Sequence, residues 1–571
     1  MSLIKSSTTV VLCLLSSVSA LVQGTETALD RYIAKPDAHY SWYEYYNDQQ
    51  TLTDNYGLAM TSQQWRTEDE VDKPIWQHEL EVSVPQEAVW LQKKTAVLLI
   101  NGGSNRSSFP DREVDDLVTT LAALNGFVVA TTNQVPNQRL KFTDEIDPRY
   151  IEEGRKEDEI LAYSFDKFME TGDEEWPVHL PMTKAAVRSM DAIQEFVLQK
   201  HGLEIENFII LGGSKRGWTT WLTAAVDPRV KAIAPISIDL LDLNQQVDHH
   251  WEAYGYYADA ILDYADFDLF CRMKSETGQD LLDIVDPISY NERFTMPKFV
   301  INSAGDQFFL PDSSLFYYDQ LPEPKHLRYT VNTDHAQTDD IITVLQLTNW
   351  IKHHVNNTNP PRYSYRLEAD GSIVVQNHSF GLTSVKLWSA TNPNERNFRL
   401  DTIGDGYAAQ TLLPNWDGTY TGRVSTPEQG WTAYMVELTY GDEVYTSPLR
   451  ITPEALPFAG THCAPEESDM DDDGISDTLD NCPSIANSNQ HDSDEDGLGD
   501  LCDATPNGHT CTEDRTSTFN HLSAGRAHRC GNFNIYACAN GSNDNLGRVS
   551  FFVTTTVSET APGYYEERSC P

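Results

Sequence analysis

Phe208-Ile209-Ile210-Leu211-Gly212-Gly213-Ser214-Lys215-Arg216-Gly217-Trp218 changes texture at its centre. Four apolar residues meet two glycines and a serine, and a helix-compatible run then extends from Trp218 to Val226. The apolar run reads as a strand buried on both faces. A serine on a sharp turn from strand to helix exposes its hydroxyl, and the helix N-terminus favours negative charge developing there. Glycines suit the flanks because the turn is strained and neighbouring backbone must pass closely. The spacing departs from G-x-S-x-G: Arg216 holds the second small position, and Gly217 comes one residue late.

Outward from this turn the same texture repeats. Ala96–Ile100, Phe127–Ala130, Val230–Ile236 and Phe299–Ile301 read as further strands. Ala186, Met190, Ile193 and Val197 recur at helical spacing between Lys184 and Lys200. Alternating strands and helices over residues 30–358 predict an α/β fold with a mostly parallel sheet. Beyond Phe299–Ile301 comes Asp306, and beyond Leu327–Val331 comes His335. The order Ser214, Asp306, His335, each following a strand, is that of α/β-hydrolases. Asp312, six residues after Asp306 in the same loop, is the runner-up acid. Two amides suit an oxyanion hole: that of Lys215, and one from Gly102 or Gly103 behind Ala96–Ile100. Between about residues 239 and 296 lies an aromatic, acidic, helical insertion placed where a lid would sit. His249 and His250 fall within it, and no carboxylate or thiolate company marks them as metal ligands.

Four segments resemble the PhoPQ-activated pathogenicity-related family. They are Leu99–Asn105, Leu180-Pro181-Met182-Thr183-Lys184, Gly213–Trp221 and Gly430-Trp431-Thr432-Ala433. The resemblance spans roughly residues 30–455 and implies an α/β-hydrolase domain followed by a β-sandwich. The Ser-basic-x-Gly pattern also resembles the nucleophile turn of glucuronoyl esterases. The expectation is a serine hydrolase acting through an acyl-enzyme: Ser214 as nucleophile, His335 as general base, Asp306 orienting the imidazole, and no catalytic cofactor. An esterase is favoured over a serine peptidase because no site for peptide termini is evident. The substrate is then a small ester or peptide. The alternative from another class is a catalytically idle extracellular binding or signalling protein.

Downstream, residues 360–455 turn to short alternating strands broken by Gly, Asn and Pro, which fit a β-sandwich. The whole chain of 571 residues carries a formal charge of −45, which excludes nucleic acid and anionic membrane as main partners. Lys5, the apolar Val10–Leu15 and the small residues before Ala20 read as a signal peptide over 1–20. No later stretch approaches the length of about 18 apolar residues needed to span a bilayer. The mature chain is expected to be secreted, extracellular or periplasmic, with no transmembrane segment.

Between Glu466 and Asp503 there are 14 carboxylates and no Lys or Arg. They are not scattered. Asp469, Asp471 and Asp473 lead through Gly474 to Asp477 and Asp480, and Asp492, Asp494 and Asp496 lead through Gly497 to Asp500 and Asp503. Oxygen ligands at alternating positions wrap a hard cation, and the glycine permits the tight turn. The pattern, over 463–505, resembles thrombospondin type 3 repeats, which implies structural Ca²⁺ and a Cys482–Cys502 pair. A terminal module over 509–571 contains the phrases Ala524–Ala527 and Gly563–Tyr565, similar to C-terminal modules of secreted bacterial hydrolases. There Cys511–Cys570 and Cys530–Cys538 are candidate bridges. Cys271 stands alone, and Cys463 is the expected odd thiol. An extracellular glycan, matrix or cell-surface partner is expected for these terminal segments.

Overall fold

The computed structural model describes residues 26–458 except 338–340, then 463, 471, 475, 480–482, 484–487, 490–493, 498–502, 512–531, 534–550, 553–561 and 563–568. Residues 1–462 and 463–571 form separate compact units. At the centre of the first is a nine-stranded sheet in the order β1-β2-β3-β5-β4-β6-β7-β8-β9. Its strands are β1 (Ser41–Gln49), β2 (Thr53–Gln64), β3 (Ile75–Pro85), β4 (Thr95–Ile100), β5 (Val129–Thr132), β6 (Asn207–Gly213), β7 (Val230–Ile236), β8 (Lys298–Ser303) and β9 (Lys325–Thr330). Pairings from β1 through β3 to β5 are antiparallel, and those from β5 through β4 to β9 are parallel.

The unbroken apolar runs are explained by the pleat. Leu98 and Ile100 of β4, with Phe208 and Ile210 of β6, enter one core, while Val97 and Ile209 enter the core on the opposite face. A strand covered on both sides needs apolar residues at every position. Helices Asp158–Thr171, His179–His201 and Lys215–Val226 supply the first cover, and Asp116–Asn125 and Ile341–Val355 belong to the second. The strand expected from Phe127 begins two residues later, because Gly126 has just ended the preceding helix in a left-handed conformation. The antiparallel β1–β2 hairpin was not foreseen: β1 is a run of exposed and half-buried aromatic and polar residues with no buried apolar stretch.

The insertion between β7 and β8 is helical, as expected, with its longest helices at Leu243–Tyr254 and Glu276–Val285. After β9 come two antiparallel sheets. One contains Tyr363–Leu367, Ile373–Asn377 and Tyr420–Gly422; the other is built around Ser384–Asn392 and Trp431–Tyr440. Ile373, Val375 and Val436 pack in the same core as Phe299 and Ile301, so the two sheets share an interior with the α/β layer.

In the second unit Cys482 is bonded to Cys502, and Cys530 to Cys538. The expectation that Cys271 and Cys463 stay unpaired is overturned, since each is disulfide-bonded. A count confined to the tail thiols leaves Cys271 out and so cannot assign every pair. Cys511 and Cys570 lie outside the described residues, as does the signal-peptide segment 1–20.

Candidate active site

Parallel strands β6, β8 and β9 all end at the same edge of the sheet, and the three candidate residues follow them there. Ser214 sits between β6 and the helix Lys215–Val226 with φ 56° and ψ −130°, a region non-glycine residues rarely occupy. Its N–H donates to Ile236 O at 2.8 Å, and its side chain caps no helix N–H, so the hydroxyl is not consumed by the turn. The displaced glycine spacing has a steric reason. A Cβ on Gly212 would lie 2.5 Å from Arg216 O, and one on Gly217 would lie 2.7 Å from Ile238 Cγ2 and 3.0 Å from Gly212 O. Gly212 and Gly217 are thus required by close approach, whereas nothing crowds Gly213.

The structure brings Asp306 and His335 together. Both Asp306 oxygens lie within hydrogen-bond reach of His335 Nδ1, at 2.9 and 2.8 Å, and Asp306 also accepts from Phe308 N–H at 2.7 Å. His335 is held further by its N–H, which donates to Gln307 Oε1 at 2.8 Å, and by Phe308, whose ring centroid lies 4.2 Å away. A carboxylate at Nδ1 sets the proton there and leaves the Nε2 lone pair as the basic atom. Among the described residues Nε2 is buried without a hydrogen-bond partner. Asp312 goes elsewhere: it pairs with His249 Nε2 at 2.9 Å and with Arg396 Nη2 at 2.6 Å, all buried. Burial alone would raise its pKa, but Arg396 and His249 hold it well below the usual carboxylate range.

The two basic residues after Ser214 serve as fasteners. Arg216 forks onto Glu157 at 2.6 and 2.7 Å and donates from Nε to Val135 O at 2.6 Å. Lys215 Nζ reaches Glu157 at 2.9 Å and Asp158 at 3.0 Å. Burial would raise the Glu157 pKa, yet the Arg216 and Lys215 cations bring it down to about 2. The Arg216 guanidinium lies against Gly102, where a Cβ would stand 2.4 Å from Nη2. Of the candidate oxyanion amides, that of Gly102 donates to Asn101 Oδ1 at 2.9 Å. Gly103 has φ 114°. Glu157 and Asp158 were missed at the sequence level; two acids opening a helix carry no sign of partners 57 to 59 residues away.

Ser214 and Lys215 open onto a cavity of about 750 Å³, part of it open solvent. Its walls include Phe165, Trp218, Leu243, Phe270 and Met273, but neither His335 nor Gly102 and Gly103. Phe308 and Phe309, which flank His335, also line it. Of the two insertion histidines, His250 faces this cavity, while His249 belongs to the Asp312 cluster.

Residues 29–399 match the PhoPQ-activated pathogenicity-related protein family. The chain belongs to that family. A relative within reach of it is autocrine proliferation repressor protein A of Dictyostelium discoideum, 33% identical over 480 residues, 78% of this chain and 94% of that protein. A poly(3-hydroxybutyrate) depolymerase of Ralstonia pickettii is 43% identical over 67 residues, 12% of this chain and 13% of that one. Among solved structures, acetyl xylan esterase 1 from Thermoanaerobacterium sp. JW/SL YS485 is 16% identical, with a TM-score of 0.38, over 57% of this chain and 91% of that one.

Outside the family segment, residues 459–490 match the thrombospondin type 3 repeat. Of the candidate cation ligands, Asp469, Asp473, Asp477, Asp494, Asp496 and Asp503 lie outside the described residues. Asp480 accepts from Cys482 N–H and Gln490 Nε2, each at 2.7 Å, and Asp500 from the N–H and hydroxyl of Ser493, each at 2.7 Å. Among the described residues no group of three or more potential ligands converges. No described helix is long and apolar enough to cross a membrane.

Proposed function

We propose that this family member is a serine hydrolase that cleaves carboxylic esters. The observation that carries the reading is the Asp306–His335 pair, whose basic Nε2 has no partner among the described residues, at the strand edge that bears Ser214. In this reading Ser214 Oγ attacks the ester carbonyl as His335 Nε2 takes its proton. The tetrahedral oxyanion lies at the helix N-terminus beside the Lys215 N–H, with Gly103 as the second donor because the Gly102 amide is turned to Asn101. Collapse expels the alcohol, which takes the proton from Nε2, and leaves an acyl-Ser214. Water, deprotonated by the same nitrogen, then releases the acid.

The cavity supports an ester over a peptide substrate. Asp158 is the carboxylate on its described walls, and its oxygens are taken by the Tyr264 hydroxyl at 2.9 Å and Lys215 Nζ at 3.0 Å. No free anion is left for a peptide N-terminal ammonium. The second reading, a signalling protein, is favoured by the name of the Dictyostelium relative, an autocrine proliferation repressor. Ser214→Ala separates the two: it should lower ester kcat by several orders of magnitude and abolish fluorophosphonate labelling, with the fold intact. Undiminished labelling of the variant would refute the assignment.

For the second unit the reading is an exported, Ca²⁺-ordered tail. The disulfides suit an oxidising compartment, and the alternating aspartates suit a hard cation held by oxygen ligands. An extracellular glycan, matrix or cell-surface partner remains the proposal for the terminal module.

A further inference from the structure

We infer that the cavity beside Ser214 selects the acyl half of the substrate, and that this half is apolar and longer than acetyl. The inference rests on the serine-esterase reading and names its substrate class. Phe165, Trp218, Leu243, Val247, Phe270 and Met273 supply walls with no polar handle except the Trp218 indole, whose N–H already donates to Val285 O at 2.5 Å.

Most of the polar groups that reach the cavity are already engaged by the protein. Lys215, Asp158 and Tyr264 close on one another, and the Gln246 amide donates to Leu241 O and Ser313 O at 3.0 and 3.1 Å. His250 Nε2 accepts from Ala258 N–H at 3.1 Å, and burial lowers its pKa to about 3, so the ring is neutral. A site meant for a sugar or a charged acid presents unpaired donors or a free counter-charge, because selectivity comes from polar groups left unsatisfied by the wrong ligand. Here most of those groups have protein partners, and the walls left for the substrate to cover are chiefly apolar.

The assignment to the acyl half follows from where His335 lies. The leaving alcohol must receive a proton from His335 Nε2, so it departs on the histidine's side. His335 is not among the residues lining the cavity, whereas Ser214 is, and Phe308, whose ring packs on the imidazole, lines it too. What occupies the cavity is therefore the part that stays on Ser214 in the acyl-enzyme.

The test is kcat/KM of the full chain on p-nitrophenyl acetate, butyrate, hexanoate, octanoate and decanoate. A parallel series holds the acyl group as acetate and lengthens the alcohol. About fourfold per buried methylene is expected along the first series until the cavity is full, and less than threefold in total along the second. Val247→Trp, which fills the cavity, should move the acyl optimum to a shorter chain and cut the octanoate-to-acetate ratio at least tenfold. A flat acyl series, or an optimum at acetate, overturns the inference even if Val247→Trp fails to fold. A gradient in the alcohol series alone overturns the acyl assignment. A protein that turns over no ester and resists fluorophosphonate labelling overturns the nucleophile reading itself, and this inference with it.

Discussion

Asp306 and Asp312 illustrate how far apart two similar carboxylates can be in consequence. Asp306 touches His335 Nδ1, and Asp312 neutralises Arg396 in a buried cluster with His249. Asp306→Asn replaces an acceptor-only carboxylate with an amide that can donate to Nδ1 and favour the wrong imidazole tautomer, so kcat should fall by about 10⁴-fold with little change in melting temperature. Asp312→Asn should do the opposite. It leaves a buried guanidinium without its counter-charge, which costs about 3–5 kcal/mol of stability, while the folded fraction keeps much of its kcat. Steady-state kinetics and thermal melts of both variants decide between the roles. The reverse ranking in kcat would move the orienting acid to Asp312.

Among the elements, the nucleophile turn is tied to the start of the helix Asp158–Thr171. Glu157 precedes that helix with φ 50° and receives the Arg216 fork and the Lys215 ammonium. Its pKa is about 2 when folded against an ordinary 4.5. A depressed carboxyl contributes stability above its unfolded pKa, and that contribution is lost as pH falls from about 4.5 through about 2. Glu157→Gln should therefore flatten the pH dependence of stability across that acidic window and lower stability at neutral pH. Chemical denaturation at a series of pH values measures both. The same slope in Glu157→Gln as in the unsubstituted protein would dissociate Glu157 from the turn's stability.

At the scale of the whole molecule, the first unit has an extensive apolar core, whereas the acidic stretch has little apolar material of its own. Without a cation its carboxylates repel one another. With Ca²⁺ bound the charge is offset, and binding energy becomes folding energy for that stretch. EDTA should make residues 466–503 protease-sensitive while hydrolysis of p-nitrophenyl esters persists. Identical cleavage with Ca²⁺ and with EDTA would return the stretch to a solvated linker.

The features legible in the sequence are those set by neighbours along the chain. Unbroken runs such as Phe208–Leu211 follow from burial on both faces, and Ser214 was marked by the strand, glycines and helix that adjoin it. The pairing of Asp306 with His335 could be ordered from sequence because each follows a parallel strand ending at one edge. Other choices depended on chain crossings. Asp312 is withdrawn from His335 by Arg396, 84 residues later, and Arg216 finds Glu157, 59 residues earlier. Cys271 and Cys463 are likewise disulfide-bonded where the sequence left them single. Periodicity and turn chemistry act over a few residues, so the sequence alone determined the strands, the turn and the order of the candidate residues. The partner of a buried charge is set by which distant backbone passes within about 3 Å of it, and only the tertiary structure decided that.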